Sequence, residues 1–147
     1  MSIINDEKSI KIDFFKKEGA LDNRAICEGI YIVELQHCSK LSKSPLPLYI
    51  GQSVYMVKRC GEHLWYFIKE PAYFGLTTDD LKNNNLILGF RVLESLPNST
   101  ISWRQEREKF YITDIKPLTQ MPDSDRQSKE KLEIVQGKIK LFGWSEL

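Results

Sequence analysis

The sequence predicts an α/β fold of the α+β kind: a small central three-stranded antiparallel sheet flanked by helices. Three observations predict it. Residues 29–36 (GIYIVELQ) and 48–51 (LYIG) are rich in β-branched and aromatic side chains, and the polar loop between them makes an antiparallel hairpin the simplest pairing. A helical pattern follows at 54–69. Residues 86–96 (LILGFRVLESL) are apolar on both faces, as a central strand is, and lead into a second long helix.

Taken in order, residues 1–28 read as a short leader with one candidate strand at 9–15. The hairpin loop, HCSKLSKSPLP, has the Ser, Lys and Pro content of a connection. Ser53 is placed to N-cap the first helix and Pro71 to stop it. Val57, Cys60, Leu64 and Phe67 form one stripe of that helix, while Tyr55, Arg59, His63 and Tyr66 recur on another face. Trp65, Tyr66 and Phe67 read as core and interface. A short capped helix is expected at Thr78–Leu81, and the second long helix at 102–116, closed by Pro117. The tail begins polar and ends apolar (IKLFGW), which leaves a helix and a late hairpin both open. No internal repeat interrupts the chain, so 1–147 reads as one domain, with a core at 28–120 and a C-terminal extension at 121–147.

Bulk properties narrow the function classes. A 41% hydrophobic and 11% aromatic content supports a real core. The formal net charge of +1 excludes a general polycationic coat for nucleic acid, though not a local basic groove. Cys27, Cys38 and Cys60 form no C-x-x-C pair, and with two histidines they offer no usual zinc spacing. No apolar run is long enough for a membrane span, and the first residues mix charge into any apolar stretch, so a reduced, cytoplasmic protein is expected.

The residues that carry chemistry are few. Gly29-Ile30-Tyr31 and Tyr49-Ile50-Gly51 stand on the two hairpin strands, Arg59 and His63 follow one turn apart in the next helix, and Glu108 precedes Pro117 and Gln120 in a later one. In this order and on these elements they resemble the GIY-YIG nuclease family, over roughly residues 28 to 120. That resemblance implies a GIY-YIG nuclease-like fold and a metal-dependent DNA endonuclease. Tyr31 would be the general base for the attacking water and Tyr49 would orient it. Arg59 would neutralise the phosphate, His63 would assist through a hydrogen bond, and Glu108 would hold a single Mg2+ or Mn2+ ion.

The chemistry of the side chains agrees with those roles. A phenol is a poor base at neutral pH because its ordinary pKa is about 10; a nearby cation makes its phenolate usable. Arginine is the natural clamp on a phosphate oxygen. A magnesium ion keeps several waters and takes one or two carboxylates, so one glutamate suffices. Helical periodicity alone does not separate Glu108 from Glu106 or Glu94; the spacing to Pro117 and Gln120 favours Glu108.

Two positions depart from the family pattern. Gln52 stands where many relatives carry lysine, which leaves Lys58 or Lys43 as the candidate substitutes near the tyrosine. Gln120 stands where asparagine is usual. Lys43, Lys58 and Gln120 are accordingly the candidate nucleic-acid contacts, with Lys40 beside them. Short flanks imply that DNA is read within this fold or through a partner, which points to a restriction-like, site-specific enzyme acting as a homodimer. The alternative class is an inactive member serving as a DNA-binding or protein-interaction module.

Overall fold

The computed structural model describes residues 9–40, 43–122 and 124–145; the first eight residues of the expected leader lie outside them. A mixed sheet forms the centre. Its strands are β1 (Lys11–Phe14), β4 (Gly29–His37), β5 (Leu46–Ser53) and β6 (Leu86–Ser95), in the order β1-β6-β4-β5. Two-residue strands β2 (Lys16–Lys17) and β3 (Ala20–Leu21) form a small ribbon after β1, and β7 (Gln120–Met121) pairs with β8 (Ser124–Asp125). The helices are α1 (Met56–Lys69), α2 (Thr78–Leu81), α3 (Ile101–Ile115) and α4 (Ser128–Phe142).

The expected antiparallel trio is present as β6-β4-β5, yet the sheet has four strands and is not all antiparallel. β1 pairs with β6 in parallel, Lys11 opposite Ile87 and Phe14 opposite Phe90. A parallel partner is reached only through a long crossover, so nothing local in the leader announced it.

Each face of the sheet is covered by a different set of helices. Tyr31, Val33, Leu48, Leu88 and Phe90 point into the larger core with Met56, Cys60 and Phe67 of α1 and Val135 and Ile139 of α4. Ile30, Ile32 and Ile50 point the other way, onto Ile112 of α3. This is the period-two alternation of a strand buried on both sides. The tail resolves as a helix preceded by a two-residue ribbon. It belongs to the same core, since Trp144 is 0% exposed within it.

Local signals set most boundaries. Thr100 caps α3 by accepting the Trp103 amide, and Thr77 and Asp80 form a capping box around α2. α1 starts two residues later than Ser53 predicts. Tyr55 is its N-cap, and the Ser53 hydroxyl instead accepts the Tyr55 amide. Pro71 ends α1 as expected and opens a 3-10 turn, Pro71–Phe74. No described helix is long and apolar enough to cross a membrane.

Candidate active site

The site is assembled at the end of the sheet where β4 begins and β5 ends. Tyr31 lies opposite Gly51, and Tyr49 opposite Val33. The pairing then skips Leu48, because Glu34 faces Pro47. This bulge turns Leu48 and Tyr49 toward one core, so the two tyrosines of the hairpin share a face. Their rings stack with centroids 6.4 Å apart.

Both signature glycines have a steric reason. A Cβ on Gly51 would stand 2.5 Å from the Tyr31 Cζ and closer still to its hydroxyl, so the phenol rests directly over residue 51. A Cβ on Gly29 would meet the Met56 side chain at 2.7 Å and press on the Glu94 carbonyl. Only glycine leaves that room.

α1 brings Arg59 and His63. The expected division of its faces is corrected here: His63 sits among the buried residues with Met56, Cys60 and Phe67. It is 0% exposed. Its Nε2 is 2.7 Å from the Tyr31 hydroxyl and its Nδ1 is 2.7 Å from the Tyr73 hydroxyl. Both ring nitrogens are thus occupied by phenols, so His63 does not reach a phosphate directly. Arg59 projects at the rim, pairing with Glu62 at 3.4 Å and within electrostatic range of Tyr31, Tyr49 and Tyr73.

Glu108 approaches from α3 around the free edge of β5. It lines a cleft of about 240 Å³ with Tyr49, Gln120, Ser124 and Asp125. The Gln52 backbone amide favours its charged form, against the burial that disfavours it. No ion pair to it occurs among the described residues. The competing glutamates are engaged elsewhere: Glu94 accepts from Arg107 at 2.8 Å and from the Tyr111 hydroxyl at 3.2 Å, and Glu106 lines an outer surface of α3 with Lys109 and Phe110.

Burial dominates the electrostatics. It pushes the Tyr31 phenol well above its ordinary value, and the Tyr49 phenol also upward, with Arg59 opposing in both cases. It pushes the His63 imidazole down to about 3. Glu108 is raised by burial, with the Gln52 amide opposing and Asp125 adding to the rise. In the free protein both phenols are therefore protonated and His63 is neutral at pH 7. The chain has no significant match among family models, curated proteins or solved structures.

Of the three expected nucleic-acid contacts, Lys43 and Lys58 fall elsewhere, and Gln120 lines the cleft with its amide already committed. Lys43 follows the far end of β4, where its ammonium lies over Phe142 at 5.6 Å. His37 stands six steps along β4 from Tyr31, a span of ~20 Å, so Lys43 does not take the place beside the tyrosine that the sequence offered it. Lys58 is exposed on the outer side of α1, beside Glu62, Trp65 and Tyr66. Gln120 is buried, and its amide is committed to the sheet edge: Oε1 accepts from the Ile50 N–H and Nε2 donates to the Ile50 carbonyl, both at 2.8 Å. It completes an edge strand instead of meeting nucleic acid. Gln52 points to α3, where its amide oxygen accepts from Arg104 at 3.0 Å.

Sequence reasoning missed Tyr73 and Asp125. Tyr73 lies between Pro71 and the short helix at Thr78–Leu81, in a stretch that carries no reading of its own, and Asp125 in a tail read only as polar. Of Trp65, Tyr66 and Phe67, read as core and interface, Phe67 is buried and the other two are half-exposed.

Among the described residues no group of three or more His, Cys, Asp or Glu gathers into a ready-made metal cage. The residues present do fit a weakly held hydrated cation. Glu108 is a partly buried carboxylate with no countercharge among the described residues, and it opens on a polar cleft large enough for an ion with most of its water.

Proposed function

We propose that this chain is a metal-dependent DNA endonuclease of the GIY-YIG type, hydrolysing phosphodiester bonds. One observation carries the reading. Tyr31, Tyr49, Arg59, His63 and Glu108 come from β4, β5, α1 and α3, and Tyr49 and Glu108 line the same cleft beside the Tyr31–His63 pair. A partly buried carboxylate with no ion-pair partner among the described residues is a cost that a purely structural role does not explain.

In this reading Arg59 binds a non-bridging phosphate oxygen and neutralises charge that develops there. Tyr31 takes the proton from the attacking water as its own proton passes to His63 Nε2. The new P–O bond forms, the ester P–O bond breaks, and the departing alkoxide takes a proton from solvent. Tyr49, at the cleft, orients the water. Glu108 would hold one Mg2+ or Mn2+ ion, which supplies Lewis-acid stabilisation of the phosphate and leaving oxygens. Arg59 and the substrate-borne cation are the two charges able to bring the raised phenols toward ionisation. A twofold assembly would deliver two such sites to the two strands of a palindrome, and site-specific cleavage follows from that arrangement.

One observation favours a second reading, a DNA-binding or protein-interaction module without turnover: Tyr31 is only 1% exposed and its phenol is protonated. Supercoiled plasmid with Mg2+ or Mn2+ separates the two. The nuclease reading expects nicked and linear products, lost in Tyr31→Phe and Glu108→Ala. Plasmid left intact by the unaltered protein across metals and pH would overturn it.

A further inference from the structure

Among the described residues the Tyr31 hydroxyl has a single hydrogen-bond partner, His63 Nε2. A buried hydroxyl with one partner donates to it, because accepting would strand its own proton without an acceptor. Nε2 is therefore the nitrogen without hydrogen. Neutral imidazole carries its proton on the other nitrogen, so Nδ1–H donates to the Tyr73 oxygen at 2.7 Å. Tyr73 is only partly buried.

We propose that Tyr73 is a positioning residue for phosphodiester cleavage: by accepting the Nδ1 proton it fixes the His63 tautomer whose Nε2 faces Tyr31. The purpose of this arrangement rests on the hydrolytic reading above; its geometry does not. In the reaction, the Tyr31 proton moves to Nε2 and Tyr31 regains one from water. The imidazolium keeps Nδ1–H on Tyr73 and later returns the Nε2 proton to Tyr31, which passes its own hydroxyl proton to water. Without an acceptor at Nδ1 the ring is free to present Nε2–H to Tyr31, and the proton has nowhere to go.

Tyr73 is itself held in place. Its ring stacks on Tyr66, with centroids 5.8 Å apart, and meets Phe74 edge-on at 5.0 Å. Lys131 of α4 donates to its carbonyl at 3.1 Å and lies over its ring. The C-terminal helix thereby reaches the site through Tyr73, which is a connection the core at 28–120 does not contain.

The chain has two histidines, and the structure gives them opposite tautomers. His37 Nδ1 accepts the Ser39 backbone N–H at 3.2 Å, so its proton belongs on Nε2. Two-bond 15N–1H spectra of the imidazoles, assigned with His37→Gln, should show His63 protonated on Nδ1 and His37 on Nε2. In Tyr73→Phe, His63 should populate both forms, and kcat for plasmid nicking should fall at least ~10-fold with KM unchanged, as expected for a lost orienting partner. Tyr66→Phe should alter neither. His63 protonated on Nε2 in the unaltered protein would overturn the proposal. So would an unchanged tautomer or an unchanged kcat in Tyr73→Phe. Failure of the unaltered protein to cut DNA would instead sink the hydrolytic reading and leave the tautomer result standing.

Discussion

The Tyr31 phenol occupies the space that a side chain on Gly51 would fill, across the β4–β5 pairing. Gly51→Ala must therefore displace a buried ring wedged against His63. We expect a loss of ~1–3 kcal/mol, typical of overpacking, and a loss of nicking comparable to that of Tyr31→Phe. Urea unfolding and a plasmid assay measure the two effects; an alanine accepted with full activity would contradict the packing.

Glu108→Gln should separate stability from activity. The folded-state pKa of Glu108 is raised by burial, so its charge is harder to carry in the folded chain than in the unfolded one. The resulting penalty is absent at low pH, sets in as pH rises through the ordinary carboxylate range and persists above the raised value. At pH 7 the amide should raise Tm while turnover falls ~10²–10⁴-fold. A variant that melts earlier than the unaltered chain would show that the carboxylate is structural.

His63 predicts the shape of the acid limb. Its folded-state pKa lies at about 3 against an ordinary 6.5. The unfolded chain takes up a proton that the folded one refuses, so stability is full above pH 6.5 and is lost as pH falls toward 3. The contribution is on the order of a few kcal/mol. His63→Asn should start less stable, because two hydrogen bonds go, yet show a flatter decline between pH 6 and 4. An equally steep decline would remove His63 as its source.

Arg59→Ala and Lys43→Ala should differ sharply. The Arg59 ion pair with Glu62 is exposed and 3.4 Å long, so its loss should change stability by less than ~1 kcal/mol. Nicking should fall by at least ~10²-fold if Arg59 clamps phosphate. Lys43, at the other end of the hairpin, should leave the rate unchanged. Equal effects from both would indicate general charge attraction instead of a clamp.

Gln120→Ala removes both hydrogen bonds to Ile50 and leaves two buried backbone groups at the edge of β5 unpaired. A cost of ~1–3 kcal/mol is expected, with nicking reduced because Tyr49 is the next residue along the strand. Hydrogen exchange at the Ile50 amide reads the first effect directly. Protection unchanged in the variant would mean that another group holds the edge.

Much of the framework was legible because it is written in local pattern. The hairpin, α1, β6 and α3 each carry their own periodicity, with Pro71 and Pro117 marking where two of them stop. The glycines of both signatures were legible as spacing, though their reason, contact with Tyr31 and with Met56, appears only in three dimensions. Glu108 was separable from Glu94 and Glu106 by spacing to Pro117, and the structure supplies the cause: the other two are used or turned outward.

By itself the sequence determined the hairpin strands, β6 and the helices α1 to α3, and which side chains are chemically able to handle a phosphate. Tertiary structure alone decided that β1 joins β6 in parallel, that His63 is sealed between Tyr31 and Tyr73, that Gln120 closes a sheet edge and that α4 enters the core. The reason is physical. Periodicity records the alternation of a chain's own faces, whereas burial and hydrogen-bond partners are set by whichever distant segment packs against each face.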